Sequence, residues 1–498
     1  MEPTAVSTNY AGLLPEGALL VATFLLAGLA ALRSGIDQKV IGYSALAALT
    51  VTGVLVGITG FGSIDGTLFV NEPCSQFFKF IFLAAAFFAI AQKFSYSNEK
   101  RPLAAAKILL LFLSVMAMMF LSMSSNLLSI FVSLELSAVP LIAMTMNYGN
   151  SVKLSQKFLL ITLFSSLLLL FGFSFLYGLS GATNLIMMKL QIAVVHITQR
   201  QIGVIILLAI ASILSGLMLK AGFIPFNFWM HQIHKNLPLP MVGFVAVAFT
   251  SAVILAFAKI FINGLFAFHG PEMNPNDWGR LVAFIAFINI VFGTIQMMRQ
   301  RDIVSLMFYA NMAQMGFVLM GMISMVLHGL QSAGFYLISF LFSATGGYAL
   351  IDMVRRQTNS TDFNDFKGLS KSSLPLAILF SIYLMSLAGF PLLAGFVAKF
   401  SVISAALEMA GLDKSYHWMY LLAGAGIICA ALALIKLGKM VLSLFARTEQ
   451  PPLAVQISPL LKIVLAVTAM GTILFGVFPD PLLALAARIP EAFGFIIE

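Results

Sequence analysis

Charged residues are scarce in this sequence. Asp, Glu, Lys and Arg make up 9% of its 498 residues, whereas hydrophobic residues make up 60% and the mean hydropathy is +1.00. A soluble chain of this length needs far more polar surface, so the composition excludes a soluble protein and indicates a polytopic membrane protein. The formal net charge of +9 comes from basic residues spread over loops, which indicates the positive-inside bias rather than a nucleic-acid partner.

Cysteine and the motifs of common enzyme chemistry are scarce or missing. Cys74 and Cys429 have no metal-ligand spacing, and Cys429 stands inside an apolar run, where a disulfide is not expected. The sequence contains no glycine-rich phosphate loop, CxxC cluster, haem signature or nucleophile elbow. We therefore expect no metal and no cofactor in this chain. The first apolar run lacks a basic flank, so we expect a membrane helix rather than a cleaved signal.

Apolar runs of about 20 residues, the length that crosses a bilayer, recur along the whole chain. Fourteen can be distinguished, at 13–33, 40–60, 77–93, 103–121, 125–147, 155–179, 201–224, 239–262, 280–298, 303–323, 329–353, 374–404, 418–446 and 458–478. Only the polar stretch from Ser122 to Asn126 separates the fourth run from the fifth, and merging the two would leave thirteen.

The basic residues of the loops decide between these counts. With fourteen helices, loops after odd-numbered helices carry sixteen lysines and arginines, whereas loops after even-numbered helices and the C-terminal tail carry five. This asymmetry in basic residues holds for the loops before and after the stretch from Ser122 to Asn126, which favours fourteen helices over thirteen. Because basic loops remain in the cytoplasm, both termini are predicted to lie on the non-cytoplasmic side of the membrane.

Two of the runs contain helix-breaking residues close to a lysine. Pro225 follows Lys220 in the seventh run, and Gly389 and Pro391 precede Lys399 in the twelfth. Transporters with two inverted repeats place broken helices at corresponding positions of each half, and broken backbone is tolerated where it lines a cavity or is buried in protein. We therefore predict an all-α fold with two inverted five-helix repeats, each containing a broken helix. The predicted units are 1–102 (helices 1–3), 103–262 (helices 4–8), 263–447 (helices 9–13) and 448–498 (helix 14 and tail).

Glu135 and Lys220 are predicted to form a pair. Glu135 lies in the middle of the fifth run, in IFVSLELSAVPL, and Lys220 near the end of the seventh. Ionisable residues inside a membrane are costly and mark functional sites by default. A nearby carboxylate stabilises the ammonium form of a buried lysine, so separation of the pair would favour release of the proton. The alternatives are a fixed structural ion pair and, for Glu135, a neutral acid hydrogen-bonded to the backbone.

Two further lysines stand in apolar runs. The run around Lys399 continues apolar through Leu407, which argues against snorkelling of this side chain to the interface. Lys259 is followed closely by Asn263 and a polar loop, so snorkelling is the better interpretation there.

Two histidines follow the break in the seventh run. His231 and His234 are three residues apart, but no third ligand is near in sequence, which makes a metal site unfavourable. A role in proton uptake or a plain position in an interfacial loop is favoured instead.

These stretches together resemble a known family. They are FVSLELSAVPL in helix five, LMLKAGFIPFNFW in helix seven, FYANMAQMGF in helix ten and SLAGFPLLAGFVAKF in helix twelve, of which the last is the most specific. They are similar to the antiporter-like membrane subunits of the proton-pumping NADH:quinone oxidoreductase, respiratory complex I. Lysine rather than glutamate at position 399 favours the subunit N branch, the branch of mitochondrial subunit 2. The resemblance covers helices four to thirteen.

The resemblance implies a proton half-channel in each repeat and a central hydrophilic axis between them. It implies that Glu135 is the carboxylate of the ion pair, Lys220 the first-half proton carrier and Lys399 the second-half carrier. It also implies a bacterial inner-membrane complex in which the partners are other membrane subunits, including neighbouring antiporter-like subunits. Flavin and iron–sulfur clusters are then expected in separate subunits.

The sequence departs from the family pattern at three places. The lysine usual in helix eight is Thr250 here, and this puts the connection between the half-channels in question. Val304 and Ser305 stand where the family has a pair of basic residues before the helix-ten tyrosine. Asn227 stands where the family has a histidine, two residues before the helix-seven tryptophan. Two alternatives stay open: a subunit of a multi-subunit cation/proton antiporter without a redox partner, and a scaffold paralogue with impaired transport.

Overall fold

The chain is an almost purely helical protein in the part that the computed structural model describes. That part comprises residues 10–32, 38–64, 68–95, 101–146, 151–198, 203–266, 277–447 and 458–493. The side on which the termini lie is a prediction about residues outside these ranges, as are the loop positions of Arg33, Lys100 and Arg200. Within the described ranges, the one sheet is a two-stranded antiparallel hairpin of β1 (Gly62–Ser63) and β2 (Val70–Asn71).

Twenty-one α-helices are found in the described residues. They are α1 (Leu14–Leu32), α2 (Gln38–Ile58), α3 (Pro73–Phe94), α4 (Arg101–Met123), α5 (Leu127–Thr145), α6 (Ser151–Ser180), α7 (Leu185–Thr198), α8 (Gly203–Ala221), α9 (Phe228–Asn236), α10 (Leu239–Phe244), α11 (Thr250–Phe257), α12 (Trp278–Arg299), α13 (Ile303–Ile323), α14 (Leu327–Thr358), α15 (Leu369–Ser372), α16 (Leu374–Ala388), α17 (Ala394–Leu412), α18 (Trp418–Leu444), α19 (Pro459–Val477), α20 (Asp480–Ala486) and α21 (Arg488–Ala492). Short 3₁₀ turns lie at Tyr10–Leu13, Phe363–Phe366 and Lys414–Tyr416.

Fourteen helical segments of the described residues are long and apolar enough to span a membrane, which confirms the predicted number. The disputed break is real: α4 ends at Met123 and α5 begins at Leu127. Asn126 caps α5, because its side-chain oxygen accepts a hydrogen bond from the Leu128 backbone N–H at 2.9 Å. The polar stretch between the fourth and fifth runs is therefore a helix end rather than the middle of one span.

The core of the bundle is formed by the eighth, tenth and eleventh spans. In the most apolar 18-residue stretch of each span, all residues of the segment Leu239–Gly264 are buried, as are 94% of those in α13 and in α14. The eighth span is not a regular helix, since π-helical turns at Val245–Phe249 and Ala258–Gly264 flank α11. A helix that is apolar on all sides belongs in such a central position, and these segments bring the broken helices together.

Both predicted helix breaks are present. The seventh span stops at α8 and continues as α9, and the twelfth is divided into α16 and α17. Gly222 and Gly389, with φ of +70° and +91°, adopt the left-handed conformation that ends each first half-helix. The division into two inverted repeats with the boundaries given above stays a prediction.

The short helix α7 was not predicted. From the sequence, its residues were assigned to the loop between the sixth and seventh runs. Most of its residues are apolar, and Ile186, Leu190 and Val194 are exposed. With 14 residues it is too short to span a bilayer, which is why the search for long apolar runs missed it.

Candidate functional site

A buried ion pair joins the fifth and seventh spans. The Nζ of Lys220 lies 2.9 Å from Oε1 of Glu135; the lysine side chain is fully buried, whereas the glutamate side chain is 21% exposed. The hydroxyl of Ser166, on α6, donates to the same carboxylate oxygen at 2.6 Å. The predicted contact between Glu135 and Lys220 is therefore confirmed, and the carboxylate is held by one cation and one neutral donor. Sequence reasoning missed Ser166, whose only signal is a serine in an apolar run.

The helix break holds Lys220 in place. Lys220 lies in the last turn of α8, where the exposed carbonyl ends of the helix favour a cation. The indole N–H of Trp229, on α9, donates to the Leu219 carbonyl at 2.9 Å, so α9 folds back against the end of α8. This return needs glycine at position 222, because a Cβ there would come within 2.5 Å of the Met230 Cβ.

Lys399 lies at the second break and is 5% exposed. Its Nζ donates to the carbonyl oxygens of Leu387 at 2.7 Å and Ala388 at 2.9 Å, which belong to the last turn of α16. It also lies 5.5 Å from the centroid of the Phe317 ring, on α13. Its partners among the described residues are thus helix-end carbonyls and an aromatic face rather than a carboxylate. The prediction that this lysine does not snorkel is confirmed.

Two polar residues that the sequence did not single out extend the Lys399 site. The side-chain amide of Gln314 donates to the Leu387 carbonyl at 2.8 Å, so the amide and the Lys399 ammonium share one acceptor. The Tyr336 hydroxyl in turn donates to Oε1 of Gln314. Both side chains are buried, and each is hydrogen-bonded as a buried polar group requires.

His231 is tied to a polar cavity near the start of α13. Its Nε2 lies 2.9 Å from the Ser305 hydroxyl, which donates to Asp302. Burial raises the pKa of the Asp302 carboxyl, but hydrogen bonds from Ser305 and Thr361 outweigh this and hold that pKa below its usual range. The carboxylate therefore stays charged at neutral pH. The cavity has a volume of about 240 Å³ and is lined by Lys235, Asp302, Val304, Arg355, Asn359, Ser360 and Thr361.

His234 lines a second, smaller cavity beside Thr250. Its Nδ1 lies 2.9 Å from the Met230 carbonyl, so Nδ1 carries the proton of the neutral ring and Nε2 is an acceptor. Neither this Nε2 nor Oδ1 of Asn311 has a hydrogen-bond partner among the described residues, and both residues line the cavity. Its volume is about 20 Å³, and roughly 10–15 Å³ holds one water molecule. A water has two hydrogens to donate, which matches these two acceptors.

The prediction that Lys259 snorkels is wrong. The side chain is 4% exposed, and its amine donates at 2.9 Å to the carbonyl of Ser124, which follows α4. The polar residues that follow Lys259 suggested a nearby interface, but the π-helical end of the eighth span keeps the amine inside the bundle. Among the described residues, no group of three His, Cys, Asp or Glu side chains is placed to hold a metal ion.

The described residues contain fourteen segments long enough to span a membrane and buried amines at two helix breaks, a combination typical of membrane proteins that transport a small cation. The sequence model of the family described as "NADH:quinone oxidoreductase/Mrp antiporter, TM" matches residues 124–422, and this chain belongs to that family.

Individual relatives agree with this assignment. The chain is similar to NADH-quinone oxidoreductase subunit N of Moorella thermoacetica, with 28% identity over 90% of this chain and 91% of the relative. It is 30% identical to the subunit N of Mycobacterium tuberculosis over 76% of this chain and 70% of the relative. A chain of respiratory complex I from Thermus thermophilus has the same fold, with a TM-score of 0.77 and 20% identity, over 95% of this chain and 100% of that chain.

Proposed function

We propose that this chain is a proton-translocating membrane subunit of a bacterial respiratory NADH:quinone oxidoreductase, in which Glu135, Lys220 and Lys399 carry the proton. The observation that carries this proposal is the 2.9 Å contact between the buried Lys220 amine and the Glu135 carboxylate. Membership of the family and relatives named subunit N support the redox-driven complex. Electrons pass from NADH to quinone in partner subunits that contain the flavin and the iron–sulfur clusters.

Separation of Glu135 from Lys220 is the step that makes the proton available. At 2.9 Å, with an effective dielectric constant of about 20, the attraction between the two charges is roughly 6 kcal/mol. At about 6 Å the same expression gives roughly 3 kcal/mol, so the ammonium loses about half of this stabilisation. The Ser166 hydroxyl remains bonded to the carboxylate after separation, which makes the separated state less costly for Glu135.

Lys399 is the carrier of the second half. Its ammonium is stabilised by the carbonyl ends of α16 and by the Phe317 ring, which are neutral partners. Without a fixed counter-charge, the amine can accept a proton and pass it on without first breaking an ion pair. Gln314 is a positioning residue in this scheme, because it fixes the Leu387 carbonyl on which the amine rests.

The water site between His234 and Asn311 replaces the missing helix-eight lysine as the connection between the halves. The cavity is lined by Ala221, the neighbour of Lys220, and by Thr250. The Thr250 hydroxyl donates to the Val245 carbonyl at 3.2 Å. It is therefore not the donor or acceptor for the water, which is bound by His234 and Asn311. His231, Ser305 and Asp302 form the uptake path from the polar cavity to this site.

The orientation follows from the loop charges and belongs to the same proposal. Both termini lie on the non-cytoplasmic side of the bacterial inner membrane, and the cavity that contains Asp302 and Arg355 opens to the cytoplasm. The segments 103–262 and 263–447 are the two inverted repeats. Other membrane subunits, including neighbouring antiporter-like subunits, are the partners.

Proton pumping in inverted membrane vesicles tests the proposal. Lys220→Met removes the amine but keeps an unbranched apolar chain, and we expect NADH oxidation to continue with loss of proton uptake. Lys462→Met changes an exposed lysine of α19 and serves as the matched control. Unchanged pumping by an assembled Lys220→Met complex would refute the proposed role of the pair.

The antiporter alternative makes a different prediction about partners, and the family description includes it. A subunit of complex I co-purifies with flavin and iron–sulfur proteins, whereas a subunit of a cation/proton antiporter co-purifies only with membrane subunits. Purification of the tagged chain from its own membranes in mild detergent, followed by flavin fluorescence and iron analysis, decides between them.

A further inference from the structure

A second buried ion pair lies outside the segment that the family model matches. Glu16, in the first turn of α1, and Lys79, on α3, both precede residue 124, where that match begins. The Lys79 Nζ lies 2.8 Å from Oε1 of Glu16, and both side chains are buried, with exposures of 0% and 2%. This pair is more deeply buried than Glu135 and Lys220, whose carboxylate is partly exposed.

Among the described residues, the Glu16 carboxylate has fewer hydrogen-bond donors than a buried anion usually has. Lys79 reaches Oε1 without a well-aligned hydrogen bond, and Oε2 has no hydrogen-bond partner among the described residues. The lysine is shared with other groups, because its Nζ also lies 3.2 Å from Oδ1 of Asn71 and 3.1 Å from the sulfur of Met123. A buried ionised carboxylate normally accepts several hydrogen bonds, so this one retains acceptor capacity for a proton or a water.

Lys259 contacts the same C-terminal end of α4 as Lys79. Its amine donates to the carbonyl of Ser124, the residue next to Met123, which Lys79 contacts. Ser75, on α3, donates to the Ser122 carbonyl at 2.7 Å and holds α3 against this end of α4. Two buried amines and one buried carboxylate therefore gather around residues 122–124.

We propose that Glu16, Lys79 and Lys259 form a proton-holding cluster that takes up and releases hydrogen ions at the non-cytoplasmic end of the first half. The Cys74 thiol and the Glu72 carboxylate also face this cluster from the start of α3, but Glu72 is half-buried rather than buried. With two amines and one fully buried carboxylate, the buried part of the cluster is neutral when one amine is protonated and carries one positive charge when both are. An uncompensated charge in the interior costs several kcal/mol. The second proton is thus held weakly: it binds to an amine lone pair, leaves to water and regenerates the amine.

The position of the cluster in the bundle suits proton release. Glu16 lies near the start of α1, Lys79 near the start of α3, and Lys259 near the end of the eighth span. In a chain that alternates direction, these ends lie on one side, which is the side opposite the basic loops. This inference rests on the proposed function and adds a second exit to it, since it assumes that some of the protons taken up by the first half leave there instead of passing on to Lys399.

Two variants separate proton handling from simple structural pairing. Lys79→Arg keeps a permanent positive charge beside Glu16, but a guanidinium does not give up its proton. The double variant Glu16→Gln/Lys79→Met removes both charges, which buried structural pairs often tolerate. Each is compared with Lys462→Arg, the same change at an exposed lysine, in the complete complex in inverted vesicles.

The readout is the number of protons taken up per NADH oxidised, together with the amount of assembled complex. We expect both cluster variants to oxidise NADH with fewer protons per electron, while Lys462→Arg keeps the wild-type ratio. A wild-type ratio in an assembled Lys79→Arg complex would overturn the inference, and so would a wild-type ratio in the double variant. If Lys220→Met abolishes pumping while both cluster variants keep it, only this inference fails; if Lys220→Met also pumps normally, the proposed function fails first.

Discussion

Replacing Glu135 by glutamine separates charge from shape at the centre of the site. Glutamine has nearly the same volume and keeps an oxygen that accepts from the Lys220 amine and the Ser166 hydroxyl, which now lie 2.9 Å and 2.6 Å from Oε1. What disappears is the negative charge beside an amine whose side chain is fully buried. The variant therefore measures what the carboxylate contributes as an anion.

The destabilisation expected for Glu135→Gln follows from the burial of the ion pair. Removing one partner of a buried ion pair costs roughly 3–5 kcal/mol, because the remaining charge has no counter-charge. Glu135 is 21% exposed, so some of its charge is already solvated, and the retained amide oxygen offsets another part. We therefore expect a destabilisation near the lower end of that range, about 3 kcal/mol, which corresponds to roughly two powers of ten in an equilibrium constant.

The assay combines stability with transport. Assembly is followed by the amount of chain recovered in the purified complex and by its dissociation on heating. Transport is followed by proton uptake per NADH oxidised in inverted vesicles. Glu135→Gln is expected to weaken assembly and to lower this ratio, whereas Glu408→Gln, at an exposed position of α17, changes neither.

The double variant Glu135→Gln/Lys220→Met distinguishes an ion pair that takes part in proton transfer from one that only stabilises the assembled complex. With both charges gone, no unpaired ion remains in the bundle, so assembly is expected to recover relative to Glu135→Gln. Pumping is expected to stay lost, because neither the carrier amine nor its counter-charge is left. Recovery of pumping together with assembly would refute the reasoning, since a structural tie would then be the whole role of the pair.

Two other changes test the Lys399 site and the proposed water-mediated connection between the two halves. Gly389→Ala places a methyl group within 2.9 Å of the Lys399 Cδ at a residue with φ of +91°, so we expect about 1–2 kcal/mol of strain and loss of pumping in the vesicle assay. Gly424→Ala, where a Cβ meets nothing within 4 Å, is the control, and equal behaviour of the two variants would contradict the placement of the amine. Asn311→Leu removes an acceptor from the 20 Å³ cavity and the hydrogen bond to Tyr348. We expect slower pumping and, by electron cryomicroscopy, a water in the wild-type cavity that is absent from the variant; wild-type pumping would count against the connection.

The spans and their breaks were predictable because their signals are local. A run of apolar residues long enough to cross a bilayer is visible in the sequence, and so are Pro225 at the first break and Gly389 with Pro391 at the second. The contact of Glu135 with Lys220 was also predictable, because a buried carboxylate and a buried amine each require a partner.

The partners of the Lys399 and Lys259 amines were not predictable, because they are backbone carbonyls. Lys399 rests on the end of α16, and Lys259 on the carbonyl of Ser124, 135 residues away. A backbone carbonyl leaves no mark in a sequence, so the local polarity around Lys259 led to the wrong prediction of snorkelling. Ser166 and Gln314 were missed for a related reason: a single neutral polar residue in an apolar run is usually bonded to its own helix.

The two lysines proposed as proton carriers share one physical setting and differ in one respect. Lys220 lies in the last turn of α8, and Lys399 rests on the last carbonyls of α16, so each ammonium is stabilised at the negative end of a half-helix that stops at a glycine. Among the described residues, a carboxylate is added at Lys220 and not at Lys399, and that carboxylate belongs to a different helix, α5. A shift of α5 against α8 therefore changes the stability of the first ammonium and leaves the second almost unchanged. In the proposed mechanism, a conformational change imposed by the partner subunits therefore needs to move only that contact to make proton transfer from the first half to the second favourable.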